Sequence, residues 1–213
     1  MSMLDRTLAI DTATEACSIA LFESGTLIAN DHRVLGRGHA ERLVPMIADL
    51  PDKGRAGRIL VSLGPGSFTG VRIGIAAARA LGVAWQSEVF GYPTLALIAA
   101  MARGADAAPV TVCMNGGHGE WFVADFSAAG EPVGPLASLT PEMAARRGAH
   151  DVIAGNRAAE LGELLGPQER EIRECLPDAR ECLRLPSDAL TKDMTPIYGR
   201  GADAVPQKER RVK

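Results

Sequence analysis

The segment Gly64-Pro65-Gly66-Ser67-Phe68-Thr69-Gly70 carries the densest chemical signal in the sequence, because three glycines and a proline lie directly ahead of a helical apolar pattern. Glycine frees the backbone for turns that other residues resist, and a helix start presents unpaired N–H groups, so this turn could hold an anion. No Lys-Ser/Thr follows a GxxxxG, and Gly64, Gly66 and Gly70 make GxGxxxG, one residue off the dinucleotide fingerprint. The same residues read as well as a tight strand-to-helix turn capped by Ser67 or Thr69. Behind the turn, Gly70, Gly74, Ala78 and Gly82 repeat every four residues and lay an almost bare stripe on one helix face. Interior glycine costs about 1 kcal/mol relative to alanine. Gly74 and Gly82 therefore point to close packing, either inside the same domain or against a partner helix.

Asp11 ends an apolar strand and precedes Thr12-Ala13-Thr14, where a carboxylate could serve metal-assisted phosphate chemistry or cap its own turn. The matching turn later in the chain is Asn115-Gly116-Gly117, an amide where a second carboxylate would stand, and one carboxylate is a poor magnesium site. His32 and His39 are seven apart, His118 and His150 are isolated, and neither HExxH nor HxxxH occurs. Ser67 has Pro65 and Thr69 two positions away, so the GxSxG elbow is missing too. No catalytic residue and no metal ligand is assigned. Asp11, Thr12, Gly64, Gly66, Ser67 and Thr69 stand as candidates for weak ligand or phosphate turns.

The elements that must position these residues follow from periodicity. Leu8–Ile10, Cys17–Phe22 and Thr26–Ala29 read as a β-meander. A helix over 39–50 places Ala40, Leu43, Val44, Ile47 and Leu50 on one face, with Pro45 expected to kink it. A charged connection over 51–58, a strand at Ile59–Leu63, the glycine turn and a helix to about Gln86 come next. Val89–Tyr92 is a short strand, and Thr94 is a candidate cap for a third helix. The pattern then restarts: strands at Val110–Met114 and Trp121–Phe126, a short helix capped by Thr140, a strand at 151–154 and a helix from about Arg157 to Leu165. Two meander-then-helix halves predict a duplicated α/β unit in two lobes, residues 1–104 and 105–213, the second ending in a basic tail, Lys208–Lys213.

The chain has 213 residues, with 34 Ala and 23 Gly against nine aromatics, so the core is expected to be thin. A net charge of −3 supplies no general basic field and argues against a stand-alone nucleic-acid binder. No apolar run reaches membrane-spanning length and no leader pattern opens the sequence, which predicts a cytoplasmic protein. Cys17, Cys113, Cys175 and Cys182 form no CxxC pair and read as free thiols.

Three stretches together carry a family resemblance: Ile10 to Ser18, His39 to Met46, and Gly64 to Gly74. They resemble the TsaB (YeaZ) family of bacterial tRNA threonylcarbamoyladenosine biosynthesis, within the TsaD/Kae-like superfamily once labelled Gcp-like or M22 peptidase. The resemblance is dense over residues 7–98. It implies an actin-like, Hsp70-like ATPase (ribonuclease H-like) fold and a non-catalytic scaffold or activator subunit. Such a subunit pairs with TsaD, works with TsaE, and meets tRNA only through the complex, which threonylcarbamoylates the adenosine 3′ of the anticodon in tRNAs reading ANN codons. It also implies a homodimer in isolation and no cofactor of its own, with room for a nucleotide at the heterodimer interface. The partner-binding helices would be those carrying His39, Arg42, Leu43 and Met46, and Gly70, Gly74, Ala78 and Gly82. The alternatives are a self-sufficient ATPase or kinase of the same fold and, with less support, a peptidase. Asn115, where many members carry Asp, weakens the first. The short 51–58 connection is a further departure from the family pattern.

Overall fold

The computed structural model describes residues 5–103 and 108–199. The first half runs β1 (Arg6–Asp11), β2 (Ala16–Glu23), β3 (Thr26–Val34), α1 (His39–Asp49), a 3-10 turn at Pro51–Gly54, β4 (Arg58–Ser62), α2 (Phe68–Trp85), β5 (Glu88–Tyr92) and α3 (Thr94–Ala102). The second runs β6 (Val110–Gly117), β7 (Glu120–Phe126), β8 (Pro132–Leu139), α4 (Pro141–Arg147), β9 (Val152–Ala154), α5 (Ala158–Leu164) and β10 (Glu171–Arg173). The first sheet is ordered β3-β2-β1-β4-β5, with an antiparallel meander followed by two parallel strands. The second is ordered β8-β7-β6-β9-β10 with the same alternation of directions. The expected duplicated α/β, actin-like arrangement is thus present in the topology itself.

α3 holds the two sheets together. Its residues are apolar all round, which suits only a helix buried on every side. Leu95, Leu97 and Ile98 join Ala9, Leu60 and Tyr92 of the first sheet with Val110, Val112 and Phe122 of the second in one continuous core. Thr94 is the first residue inside α3 and not its cap. Pro93 holds the cap position, and the Thr94 hydroxyl instead shares a 2.6 Å hydrogen bond with Ser62 Oγ.

The proposed break at 104/105 and the basic tail Lys208–Lys213 lie outside the described residues. Beyond β10, however, the chain returns to the first lobe. Ala179 N–H donates to Ser18 Oγ at 2.9 Å, Gly91 bridges Thr191, and Ile197 N–H donates to the Leu63 carbonyl at 2.7 Å. Residues 179–197 therefore strap across the first sheet. β8 escaped the sequence reading because Pro132, Gly134 and Pro135 look like breakers. It is an edge strand, where a missing backbone donor does no harm.

α1 runs unbroken through Pro45. Its core face is His39, Leu43, Met46, Ile47 and Leu50, whereas Ala40 and Val44, expected on that face, are exposed.

Candidate functional site

The glycine turn is fixed by backbone pressed on backbone. A Cβ at Gly66 would lie 2.0 Å from the Ala13 carbonyl oxygen, and one at Gly70 would lie 2.1 Å from that of Thr12. Ser67 N–H donates to the Ala13 carbonyl at 2.7 Å, and Ser67 Oγ caps α2 by accepting from Gly70 N–H at 3.2 Å. The Thr12 hydroxyl donates to the Gly70 carbonyl at 2.7 Å. Gly64, at φ +91°, presents its carbonyl to Thr94 N–H at 2.8 Å. Two N–H groups that an anion would need, those of Ser67 and Gly70, are thus spent inside the turn. Gly66, Ser67 and Thr69 do face open space; Gly64 and Thr12 do not.

Asp11 is sealed from solvent. Its carboxylate accepts from Ala13 N–H at 2.9 Å and faces the Tyr92 hydroxyl at 3.2 Å, while that hydroxyl also reaches the Ile10 carbonyl at 3.0 Å. One phenol proton cannot serve both acceptors fully, so a proton on Asp11 relieves the shortage. Burial pushes the Asp11 carboxyl up to about 6, against the opposing pull of the Ala13 and Tyr92 bonds. A metal-binding role would need an open, ionised carboxylate, whereas Asp11 is buried and bonded within its own turn. Among the described residues, no three His, Cys, Asp or Glu side chains gather as a metal site.

The shift has a testable consequence for stability. Because the folded-state value lies above the unfolded one, the folded chain holds the extra proton between about pH 4 and 6, and stability falls as pH rises through that window. Asp11→Asn keeps the Ala13 bond and can donate from its amide to the Tyr92 oxygen. Urea melts are therefore expected to show Asp11→Asn gaining about 2–3 kcal/mol on the wild type between pH 4 and 7. Parallel pH profiles for the two proteins would contradict this.

The open space is a cleft of about 1260 Å³ between the lobes. The turn residues Gly66 to Gly70 and Gly36 to Glu41 line one side, and Asn115 to His118, Phe122 and Asn156 line the other. A chain of hydrogen bonds through Asn156 spans it: Asn156 Nδ2 donates to Glu15 Oε1 at 3.0 Å, and Asn156 Oδ1 accepts from Asn115 N–H at 2.9 Å. Asn115 Oδ1 closes its own turn by accepting from Gly117 N–H at 3.0 Å. Asn115 and Asn156 thus hold backbone and lobe contact. Sequence reasoning missed Phe122, Asn156 and Tyr198, which reach the cleft from distant segments; nothing local in the sequence flags them.

The helix residues expected at a partner interface are differently placed. Gly70, Gly74, Ala78 and Gly82 face their own sheet: a Cβ on Gly74 would lie 2.5 Å from Thr12 Oγ1, and one on Gly82 2.5 Å from Val89 Cγ2. His39, Leu43 and Met46 are buried, His39 with Nε2 3.2 Å from the Ala16 carbonyl oxygen. Of the eight, only Arg42 is exposed. What the bare stripe does is let α2 lie close to the sheet and turn its opposite face outward. That face exposes Ala76, Arg79, Ala80 and Val83, the last 84 % exposed, and α1 exposes Ala40, Ala48 and the 59 % exposed Val44.

A family model described as "TsaD: tRNA N6-adenosine threonylcarbamoyltransferase" matches residues 32–192. The tRNA threonylcarbamoyladenosine biosynthesis protein TsaB of Escherichia coli (strain K12) is 39% identical over 127 residues, 57% of this chain and 54% of that protein. TsaB of Bacillus subtilis (strain 168) is 39% identical over 87 residues, 38% of this chain and 37% of its own. The chain spans about half the length, or less, of these curated relatives. YeaZ from Pseudomonas aeruginosa superimposes with a TM-score of 0.76 at 29% identity, covering 92% of this chain and 100% of that one. The motif resemblance to TsaB and YeaZ therefore holds, and the chain belongs to the TsaD, tRNA N6-adenosine threonylcarbamoyltransferase, family.

Proposed function

We propose that this chain is a non-catalytic subunit of the tRNA threonylcarbamoyladenosine machinery, binding a TsaD-type catalytic paralogue and working with TsaE. The observation that carries the reading is the outward face of α1 and α2. Exposed Val83 and Val44, on two helices whose other faces pack on their own sheet, offer apolar surface suited to helix-on-helix burial. In the free chain the same face would serve a homodimer. tRNA is met through the complex, and the modified base is the adenosine 3′ of the anticodon in tRNAs reading ANN codons.

Sealed Asp11 and the self-satisfied glycine turn support the absence of an independent ATPase or kinase activity, and no residue is assigned to peptide hydrolysis. The two lobes, 1–104 and 105–213, are read as a partner-binding lobe and a supporting lobe joined through α3. Among the described residues no helix is long and apolar enough to cross a membrane, and the site of action is read as the cytoplasm. Size-exclusion chromatography of the chain mixed with purified TsaD paralogue is expected to give a co-eluting complex. Calorimetry of the isolated chain with magnesium and ATP is expected to show negligible binding and turnover. Separate elution, or vigorous hydrolysis by the chain alone, would overturn the reading.

A further inference from the structure

The sequence holds three asparagines, Asn30, Asn115 and Asn156, and only Asn115 is followed by glycine. It is exposed near the end of β6, on the wall of the cleft. Its Oδ1 accepts from Gly117 N–H at 3.0 Å, which folds the side chain back over the peptide that links residues 115 and 116. The ladder to β7 pairs Asn115 with Trp121 and Gly117 with Glu120, so Gly116 is the extra residue of a bulge. Such a residue can turn without sliding the register of the strands. The chain then reverses through Gly117, His118 and Gly119, all at positive φ.

A side-chain amide ahead of glycine is open to attack by the next backbone nitrogen, because no side chain on that residue hinders the approach. Charge that develops on Oδ1 during the attack falls on the atom to which Gly117 N–H already donates, so the turn supplies a preset oxyanion donor. Among the described residues no hydrogen bond holds Asn115 Nδ2, the group that must leave. The other two asparagines lack this arrangement. Asn156 has Nδ2 bonded to Glu15 and Oδ1 to Asn115 N–H, while Asn30 is paired with Ala20 inside the meander and is followed by the branched side chain of Asp31.

We propose that Asn115 is a site of deamidation through a cyclic imide. The Gly116 nitrogen gives its proton to hydroxide and bonds to Asn115 Cγ; the Cγ–Nδ2 bond breaks, and Nδ2 takes a proton from water and leaves as ammonia. Water then opens the ring. Cleavage of the new Cγ–N bond leaves aspartate at position 115, whereas cleavage at the main-chain carbonyl leaves isoaspartate, with the backbone running through Cγ. One water enters, one ammonia departs, and nothing is oxidised or reduced. Either product puts a new carboxylate on the cleft wall across from the glycine turn, and isoaspartate also lengthens the main chain by one carbon beside the Asn156 clasp. The reaction needs no partner and is independent of the Val44 and Val83 face.

The test is to incubate the full chain at mildly alkaline pH, digest it at acid pH where the imide does not form, and map the peptides by mass spectrometry. Electron-transfer fragmentation tells isoaspartate from aspartate. Asn115 is expected to gain one mass unit about tenfold or more faster than Asn30 and Asn156 in the same sample. Isoaspartate should form alongside aspartate, and the rate should rise with pH. Asn115→Gln, which would have to close a larger ring, should lose the gain at this position. An Asn115 that stays intact while a synthetic peptide of residues 110–120 converts, an equal gain at Asn30 or Asn156, an undiminished gain in Asn115→Gln, or aspartate as the sole product would each overturn the proposal.

Discussion

Gly70→Ala is expected to destabilise the fold by about 3 kcal/mol or more, lowering Tm by about 6–12 °C for a chain of this size. The added methyl would sit 2.1 Å from the Thr12 carbonyl oxygen. That atom cannot swing aside like the end of a flexible side chain, because Thr12 is buried and its own hydroxyl is bonded to the Gly70 carbonyl. Relief requires α2 to lift from the β1–β2 turn, which would also strip Val71 and Ile75 of their core contacts. Thr69→Ala, one residue away and exposed, should shift Tm by little. Calorimetric melts of the two variants decide the matter. Gly70→Ala melting with the wild type would mean that the turn is not clamped as described. Gly74→Leu belongs to the same class: its side chain would meet Thr12 and Val61, so loss of partner binding in that variant would report a damaged fold.

Val83→Arg is expected to weaken association with the TsaD paralogue at least thirtyfold while leaving the melt of the isolated chain within about 0.5 kcal/mol of the wild type. A side chain 84 % exposed has almost nothing to lose within its own chain. Placed at the centre of a helix-packing interface, however, an unpaired cation loses its water without gaining a partner. Leu43→Ala provides the contrast. Leu43 is buried at 1 % exposure in the cluster beneath α1, so its truncation should cost about 2–5 kcal/mol of stability before any effect on binding. Sedimentation or surface-capture titrations paired with melts of each variant separate the two kinds of loss.

The difference between these two residues marks what could and could not be read from the sequence. The meander, the strand-turn-helix unit and the restart after residue 109 were legible because turn residues and period-two or four-residue spacing are local signals. The cap at Ser67 and the cap at Thr140 were legible for the same reason. Which side of a helix faces inward was not. On α1 the apolar residues span a wide arc, and burial selects Met46 and His39 over Ala40 and Val44, the histidine being accommodated by one backbone carbonyl. On α2 the bare stripe announces close approach without naming the neighbour, which proves to be the turn at Thr12 and the strand at Val89.

Asp11 illustrates a second limit. Its position at the end of β1 fits both a phosphate turn and a structural carboxyl. Only the folded chain distinguishes them, by burying Asp11 completely and setting against it the hydroxyl of Tyr92, 81 residues away. The strap itself, residues 179–197, is mostly 3-10 turns and irregular chain, and such segments carry no periodicity from which packing could be inferred.

The most direct test of the central claim is reconstitution of threonylcarbamoyl transfer to an ANN-decoding tRNA from purified TsaD paralogue, TsaE and the activated threonylcarbamoyl donor, with and without this chain. Modification is expected to require the chain, the chain alone is expected to modify nothing, and folded Val83→Arg is expected not to support the reaction. Full modification in the absence of the chain, or full support by Val83→Arg, would contradict the claim.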